Sequence, residues 1–266
     1  MSTSSLYINR DIILAAKRQH MAERRETTPL EAVRALATQQ RRPRYIFGTT
    51  HAENRVAIIG LVTRTPTYDP VSTALQFVSA GADAIAFFTD HTIYDDDLND
   101  MLMVARGVSK TPVVAMNYLL DSEYSVVSTR AADASGVVLY APILDDTTMR
   151  RAVSTAQRWK MTTLIQGTQT DALVRYAQQL SPHIICLGDL LTEDLEQSLR
   201  MLADIRPQLP HHTQILPMNI LHDLDTVQMA IRAGVDALFV GESLLKTPQH
   251  ARKLRQMTRR ETQHNP

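Results

Sequence analysis

The sequence predicts an α/β fold, a (β/α)8 barrel with an N-terminal helical extension, and three observations point to it. From Asp83 onward, short β-branched runs alternate with longer amphipathic segments, the pattern of a parallel sheet wrapped by helices. Two runs are introduced by the same punctuation, Ala80-Gly81-Ala82-Asp83 and Ala233-Gly234-Val235-Asp236. A glycine there ends a helix in a left-handed turn and lets the next strand begin. Finally, the runs number eight and none reads as a polar edge strand, which favours closure over an open doubly wound sheet.

In order, the strands are expected at residues 56–62 (VAIIGLV), 83–88 (DAIAFF), 112–116 (PVVAM), 137–140 (VVLY), 162–166 (TTLIQ), 183–188 (HIICLG), 214–218 (QILPM) and 236–240 (DALFV). Helices are expected around 70–80, 96–108, 122–133, 146–158, 170–179, 194–205, 223–233 and 245–259. Pro70 and Pro248 suit first-turn positions, and Asp121, Asp145 and Asp146 suit helix starts. Two further helical patterns, 8–24 and 29–39, precede the barrel, the second opened by Thr28-Pro29-Leu30-Glu31. Residues 1–50 therefore read as an extension packed on the barrel and residues 51–266 as the barrel, one domain overall.

Hydrophobic residues are 44% and charged residues 21% of the chain, enough to bury a sizeable core. Lys+Arg and Asp+Glu balance at 28 each, so no global field recruits nucleic acid or an anionic membrane. The basic run Arg41 to Arg44 and the tail from Arg252 to Arg260 read as solvated surface. Cys186 is the single cysteine, which excludes a disulfide framework and a cysteine zinc site; within HIICLG it reads as a buried, inert thiol. No apolar run approaches a membrane span and no signal-peptide core opens the chain, so a cytoplasmic protein is expected.

The segments ILAAKRQHMAERRETTPLEA (13–32), FFTDHTIYDDDL (87–98), PVVAMNYLLDSEY (112–124) and VGESLL (240–245) together resemble those of indole-3-glycerol phosphate synthase, a TIM barrel of the ribulose-phosphate-binding type. The resemblance implies a tryptophan-pathway enzyme that decarboxylates a carboxyphenylamino-deoxyribulose phosphate and closes its indole ring. No cofactor and no metal are expected.

The positions where that family carries its chemistry are altered in this chain. The glutamate and lysine of the first strand fall at Gly60 and Val62, and the general-acid lysine of the third at Met116. Methionine has no proton to donate or accept, and loss of an essential acid typically forfeits about 10² to 10⁴ in rate. The glutamate of the fifth strand falls at Gln166, the asparagine of the sixth at Gly188, and the Glu-Ser-Gly of the seventh at Met218-Asn219-Ile220. The segment after Pro66 reaches Asp69-Pro70 several residues early, and the one after Gly188 is also short. In the phosphate cradle, Gly241-Glu242-Ser243 keeps the strand-eight half, whereas Ile220 replaces the strand-seven glycine.

Other constellations carry less. Asp95, Asp96 and Asp97 after His91 suit a helix start better than a metal site, and His211 and His212 are adjacent in a loop. His222 with Asp223 suits the cap of the helix after strand seven. Asp90, Asn117, Tyr140, Gln166, Asp189, Asn219 and Glu242 all fall at or past strand ends, where they form either a ligand pocket or a self-satisfied polar mouth. Candidate ligand-binding residues are Arg64, Asp90, Asn117, Asp189, Asn219, Gly241, Glu242 and Ser243.

The expected function is a barrel of this family that has lost the ring-closure activity and binds a small phosphorylated metabolite or a partner protein. Alternatives are an active synthase using displaced residues such as Arg64, Asp90 and Glu242, or an isomerase or lyase acting on another sugar phosphate.

Overall fold

The computed structural model describes residues 10–48, 50, 53–64, 68–89, 98–116, 123–189 and 194–259, with side chains of the first helix from residue 15 onward. Two helices, α1 (Arg10–Thr27) and α2 (Leu30–Gln39), precede the first strand. The strands are β1 (Ala57–Val62), β2 (Ala84–Phe88), β3 (Val113–Met116), β4 (Gly136–Tyr140), β5 (Thr162–Gly167), β6 (Ile184–Leu187), β7 (Gln214–Pro217), β8 (Ile220–Leu221) and β9 (Ala237–Val240). Between and after them run α3 (Pro70–Ser79), α4 (Leu98–Gly107), α5 (Glu123–Ala131), α6 (Asp146–Arg158), α7 (Thr170–Leu180), α8 (Leu195–Ile205), α9 (Leu224–Arg232), α10 (Glu242–Leu245) and α11 (Pro248–Met257).

Every strand pairing is parallel, in the order β7-β6-β5-β4-β3-β2-β1-β9-β8. The seventh strand expected from sequence is present as β7, and a further short strand, β8, follows it outside the expected range. β7 pairs with β6, β8 pairs with β9, and the chain changes partner at Met218-Asn219, just after Pro217, which has no N–H for a ladder. Across this break the barrel closes: Met218 N donates to Leu187 O at 2.8 Å, Asp236 N to Ile215 O at 2.9 Å and Gly241 N to Leu221 O at 3.0 Å.

The strands are buried on both faces, as parallel strands under helices must be. Alternate residues separate into two packed clusters. Ile58, Val62, Ile85, Phe87, Val137 and Ile165 face the helices. Ile59, Leu61, Ala86, Phe88, Val114, Met116, Val138, Leu164, Cys186, Leu216, Met218 and Phe239 fill the barrel. At the amino ends of the strands the inward residues are small, Ala57, Ala84, Gly136 and Ala237, and the space they leave takes Ile46 and Phe47 from the segment after α2. A Cβ on Gly136 would lie 3.2 Å from Ile46 Cδ1.

The repeated Ala-Gly-x-Asp punctuation has a shared physical role. Gly81 (φ 100°) and Gly234 (φ 89°) adopt the left-handed turn. Two residues on, Asp83 Oδ2 accepts Ile58 N at 2.9 Å and Asp236 Oδ2 accepts Ile215 N at 2.9 Å, each stitching its strand to a neighbour. Each aspartate also holds an arginine. Arg55 grips Asp83 through both terminal nitrogens and contacts Glu53, while Arg206 Nη2 reaches Asp236 at 2.9 Å. The hydrogen bonds to Asp83 outweigh desolvation and leave the Arg55 pKa raised above the usual arginine value.

Arg41 corrects the reading of the Arg41 to Arg44 run as mere solvated surface. It bonds Asp133 Oδ2 at 2.6 Å and the carbonyls of Ala105 and Ser109 at the end of α4, while Asp133 also pairs with Arg130. The extension is held from the other side: Arg34 pairs with Glu123 at 2.7 Å, and Val33 and Ala37 pack on Tyr124 and Val127 of α5. Tyr124 OH donates toward the carbonyls of Arg24 and Thr28.

Candidate functional site

In a barrel of this kind the chemistry belongs to the carboxyl ends of the strands. There the inward-facing side chains are Leu61 on β1, Phe88 on β2, Met116 on β3 and Met218 after β7. Gln166 alternates with inward Leu164 and is 3% exposed; its Nε2 donates to Gly188 O at 3.3 Å. Met116 is thus where the sequence places it, at the end of β3 in register with Phe88, and is itself only 4% exposed.

Gly60 and Val62 differ from expectation. Both face outward: a Cβ on Gly60 would lie 2.6 Å from Phe77 Cδ2 of α3, and Val62 packs in the helix-facing cluster. The period-two alternation of a strand then makes Ile59 and Leu61 the inward residues of β1. The first strand of the barrel presents no ionisable group inward in either register.

Gly188 has φ 89°, and a Cβ there would meet Ser198 Oγ at 2.7 Å, so backbone and space both require glycine. Asn219 is buried in the break between β7 and β8. Asp189 accepts the Tyr140 hydroxyl at 2.8 Å, joining the ends of β4 and β6 at the rim. Arg64 lies over the Tyr68 ring at 4.3 Å and 4.0 Å from Asp100, which also accepts Tyr68 OH at 3.2 Å. Asp90, Asn117, His91, Asp95, Asp96, Asp97 and Asp121 lie outside the described residues.

The glycine of the strand-eight turn is occupied from within. A Cβ on Gly241 would come within 2.6 Å of His222 Nδ1 and 3.4 Å of Ile220 Cγ2, so the His222 ring uses the space the glycine leaves. Ser243 Oγ donates to His222 O at 2.7 Å, and Glu242 pairs with Lys246 one turn on. Asp223, beside His222, caps α9 by accepting Thr226 N at 2.9 Å, and those backbone bonds lower its pKa. The sequence signal for the cap is legible; the packing of His222 on Gly241 has none, because it joins side chains across a sheet.

Cys186 is fully buried in the barrel and desolvation pushes its thiol pKa far up, as an inert core residue requires. Among the described residues, no group of three or more His, Cys, Asp or Glu is placed to hold a metal ion. Among them, too, no helix is long and apolar enough to cross a membrane.

The sequence model of indole-3-glycerol phosphate synthase matches residues 10–257. The chain belongs to the indole-3-glycerol phosphate synthase family. It is 27% identical over 247 residues to the indole-3-glycerol phosphate synthase of Albidiferax ferrireducens, covering 89% of this chain and 92% of that one. To the synthase of Roseiflexus castenholzii it is 27% identical over 260 residues, covering 92% and 96%. Among solved structures it is similar to 3-hexulose-6-phosphate synthase, with a TM-score of 0.62, 17% identity, and coverage of 76% of this chain and 99% of that one. A mutant tryptophan synthase alpha-subunit from Pyrococcus furiosus gives a TM-score of 0.58 at 14% identity, covering 77% and 97%. These two likenesses establish the barrel fold.

Proposed function

We propose that this barrel has lost the decarboxylating ring closure of its family and serves as a cytoplasmic binding protein, its ligand a small phosphorylated metabolite or a partner protein. One observation carries the reading: the inward positions at the carboxyl ends of β1, β3 and β5 and after β7 are Leu61, Met116, Gln166 and Met218. Ring closure needs an acid to protonate the ketone and a base to complete dehydration, and none of these side chains exchanges a proton near neutrality. Engagement of Arg64 with Tyr68 and Asp100, and of Glu242 with Lys246, weighs against their serving as displaced catalysts. The test is thermal: carboxyphenylamino-deoxyribulose phosphate and other phosphate esters are screened for a raised melting temperature, which ligand binding to the folded state must produce. A shift with a phosphate ester supports a metabolite-binding barrel; absence of any shift favours a protein partner.

The Tyr140–Asp189 pair supports a second reading, an isomerase or lyase on another sugar phosphate. A phenol held at 2.8 Å by a carboxylate at the rim is a proton donor with its acceptor in place. Under that reading Tyr140→Phe abolishes whatever turnover a sugar-phosphate screen reveals, while Met116→Leu leaves it intact.

A further inference from the structure

At the opposite end of the barrel, where β5 and β6 begin, a hollow of ≈ 490 Å³ opens among Arg42, Tyr45, Lys160, Met161 and His183. Its volume falls in the range of small-molecule sites, roughly 300 to 1,000 Å³. The residues around it come from three separate places: the segment after α2, the turn from α6 into β5, and the residue before β6. Among the described residues, no carboxylate lines it.

The donors are specific. Thr163 N donates to His183 Nδ1 at 3.1 Å, which makes Nδ1 the acceptor and puts the ring proton on Nε2. That Nε2–H has no hydrogen-bond partner among the described residues, and neither the Arg42 guanidinium nor the Lys160 ammonium has an acidic partner among them. Burial lowers the His183 pKa, so near neutrality the ring is an uncharged donor. Beside these polar groups stands one exposed apolar surface, the Tyr45 ring, whose centroid is 5.8 Å from that of His183, with the buried Met161 beneath the hollow. An adjoining hollow that shares Tyr45 adds Arg44, Lys110 and Arg255, while its acids, Glu53 and Asp83, are both taken by Arg55.

We propose that this hollow binds a small organic anion, with Arg42 and Lys160 pairing its phosphate or carboxylate, the His183 imidazole donating to it, and the Tyr45 ring covering an apolar or aromatic portion. The site lies at the amino ends of the strands, so it stands whether or not the mouth is catalytically silent.

The experiment titrates the full-length protein with phenyl phosphate, benzoate and neutral benzyl alcohol, following affinity by calorimetry and the His183 ring by ¹⁵N-histidine spectra. Expected is saturable, salt-sensitive binding of an anionic probe that moves the His183 Nε2 resonance. Phenyl phosphate against benzoate distinguishes a phosphate site from a carboxylate site. The Arg42→Ala/Lys160→Ala double variant should bind about tenfold more weakly or worse, the loss of two charge-assisted contacts, with an unchanged melting temperature. Equal binding of benzyl alcohol, an unmoved His183 resonance, or unchanged affinity in the double variant would overturn the proposal.

Discussion

Phe88 and Met116 are register partners across β2 and β3, and both side chains belong to the packed interior of the barrel. The residue at the end of β3 has therefore become part of a hydrophobic layer.

Restoring the charge should be costly. Met116→Lys places an ammonium at a 4% exposed position beside Phe88, where no inward carboxylate among the described residues can receive it. A loss of about 2 kcal/mol or more in unfolding free energy is expected by urea denaturation, against less than about 1.5 kcal/mol for the volume-conserving Met116→Leu. Equal stability of the two variants would show that the mouth still accommodates a lysine.

The strand-stitching aspartates should rank by how deeply their arginines lie. Asp83→Asn leaves Arg55, whose side chain is 4% exposed, with the exposed Glu53 as its remaining carboxylate and should cost about 3 kcal/mol. Asp236→Asn faces Arg206, which is 37% exposed, and should cost about 1 to 2 kcal/mol. Urea midpoints of the two variants check the order.

Two glycines with the same φ separate backbone strain from packing. Gly234 has nothing within 4 Å of the position a Cβ would take, so Gly234→Ala should lose only the left-handed penalty, about 1 to 2 kcal/mol. Gly188→Ala adds a contact with Ser198 Oγ at 2.7 Å and should be the more destabilising of the pair. The double variant Gly188→Ala/Ser198→Ala should recover the difference.

His183 should make stability depend on pH. Desolvation, and then the charge of His212, lower its native pKa below the unfolded value of about 6.5. The unfolded chain then binds a proton that the native state refuses. Its contribution is complete above the unfolded pKa and is lost progressively as pH falls from there through the native value. Melting temperatures of wild type and His183→Gln between pH 7.5 and about 5 should show the steeper decline in the wild type.

Much of this architecture was legible because local rules and tertiary packing agree. Asp145 caps α6 by accepting Thr148 N at 2.8 Å, Pro70 and Pro248 open α3 and α11, and both Ala-Gly-x-Asp turns stand where the punctuation put them. The short β8 beyond the seventh strand and the separate α10 were not legible, since a change of pairing partner leaves no periodic trace. At the carboxyl ends of β3 and β5, Met116 and Gln166 are both buried, and strand alternation in the sequence is what makes their side readable. Gly60 and Val62 face the helices, and a one-residue difference in where the strand is read reverses every side chain of it. The roles of Arg41 and His222 depend on contacts distant in sequence, which composition around them does not encode.

A mouth without an acid or a base should not turn over the substrate of its family. Purified protein is given carboxyphenylamino-deoxyribulose phosphate, and indole-glycerol phosphate is followed by its fluorescence. The expected result is a rate equal to that without protein, in the wild type and in Gln166→Ala alike. Saturable formation of indole-glycerol phosphate by the wild type, lost on substitution of Gln166 or Asp189, would contradict it.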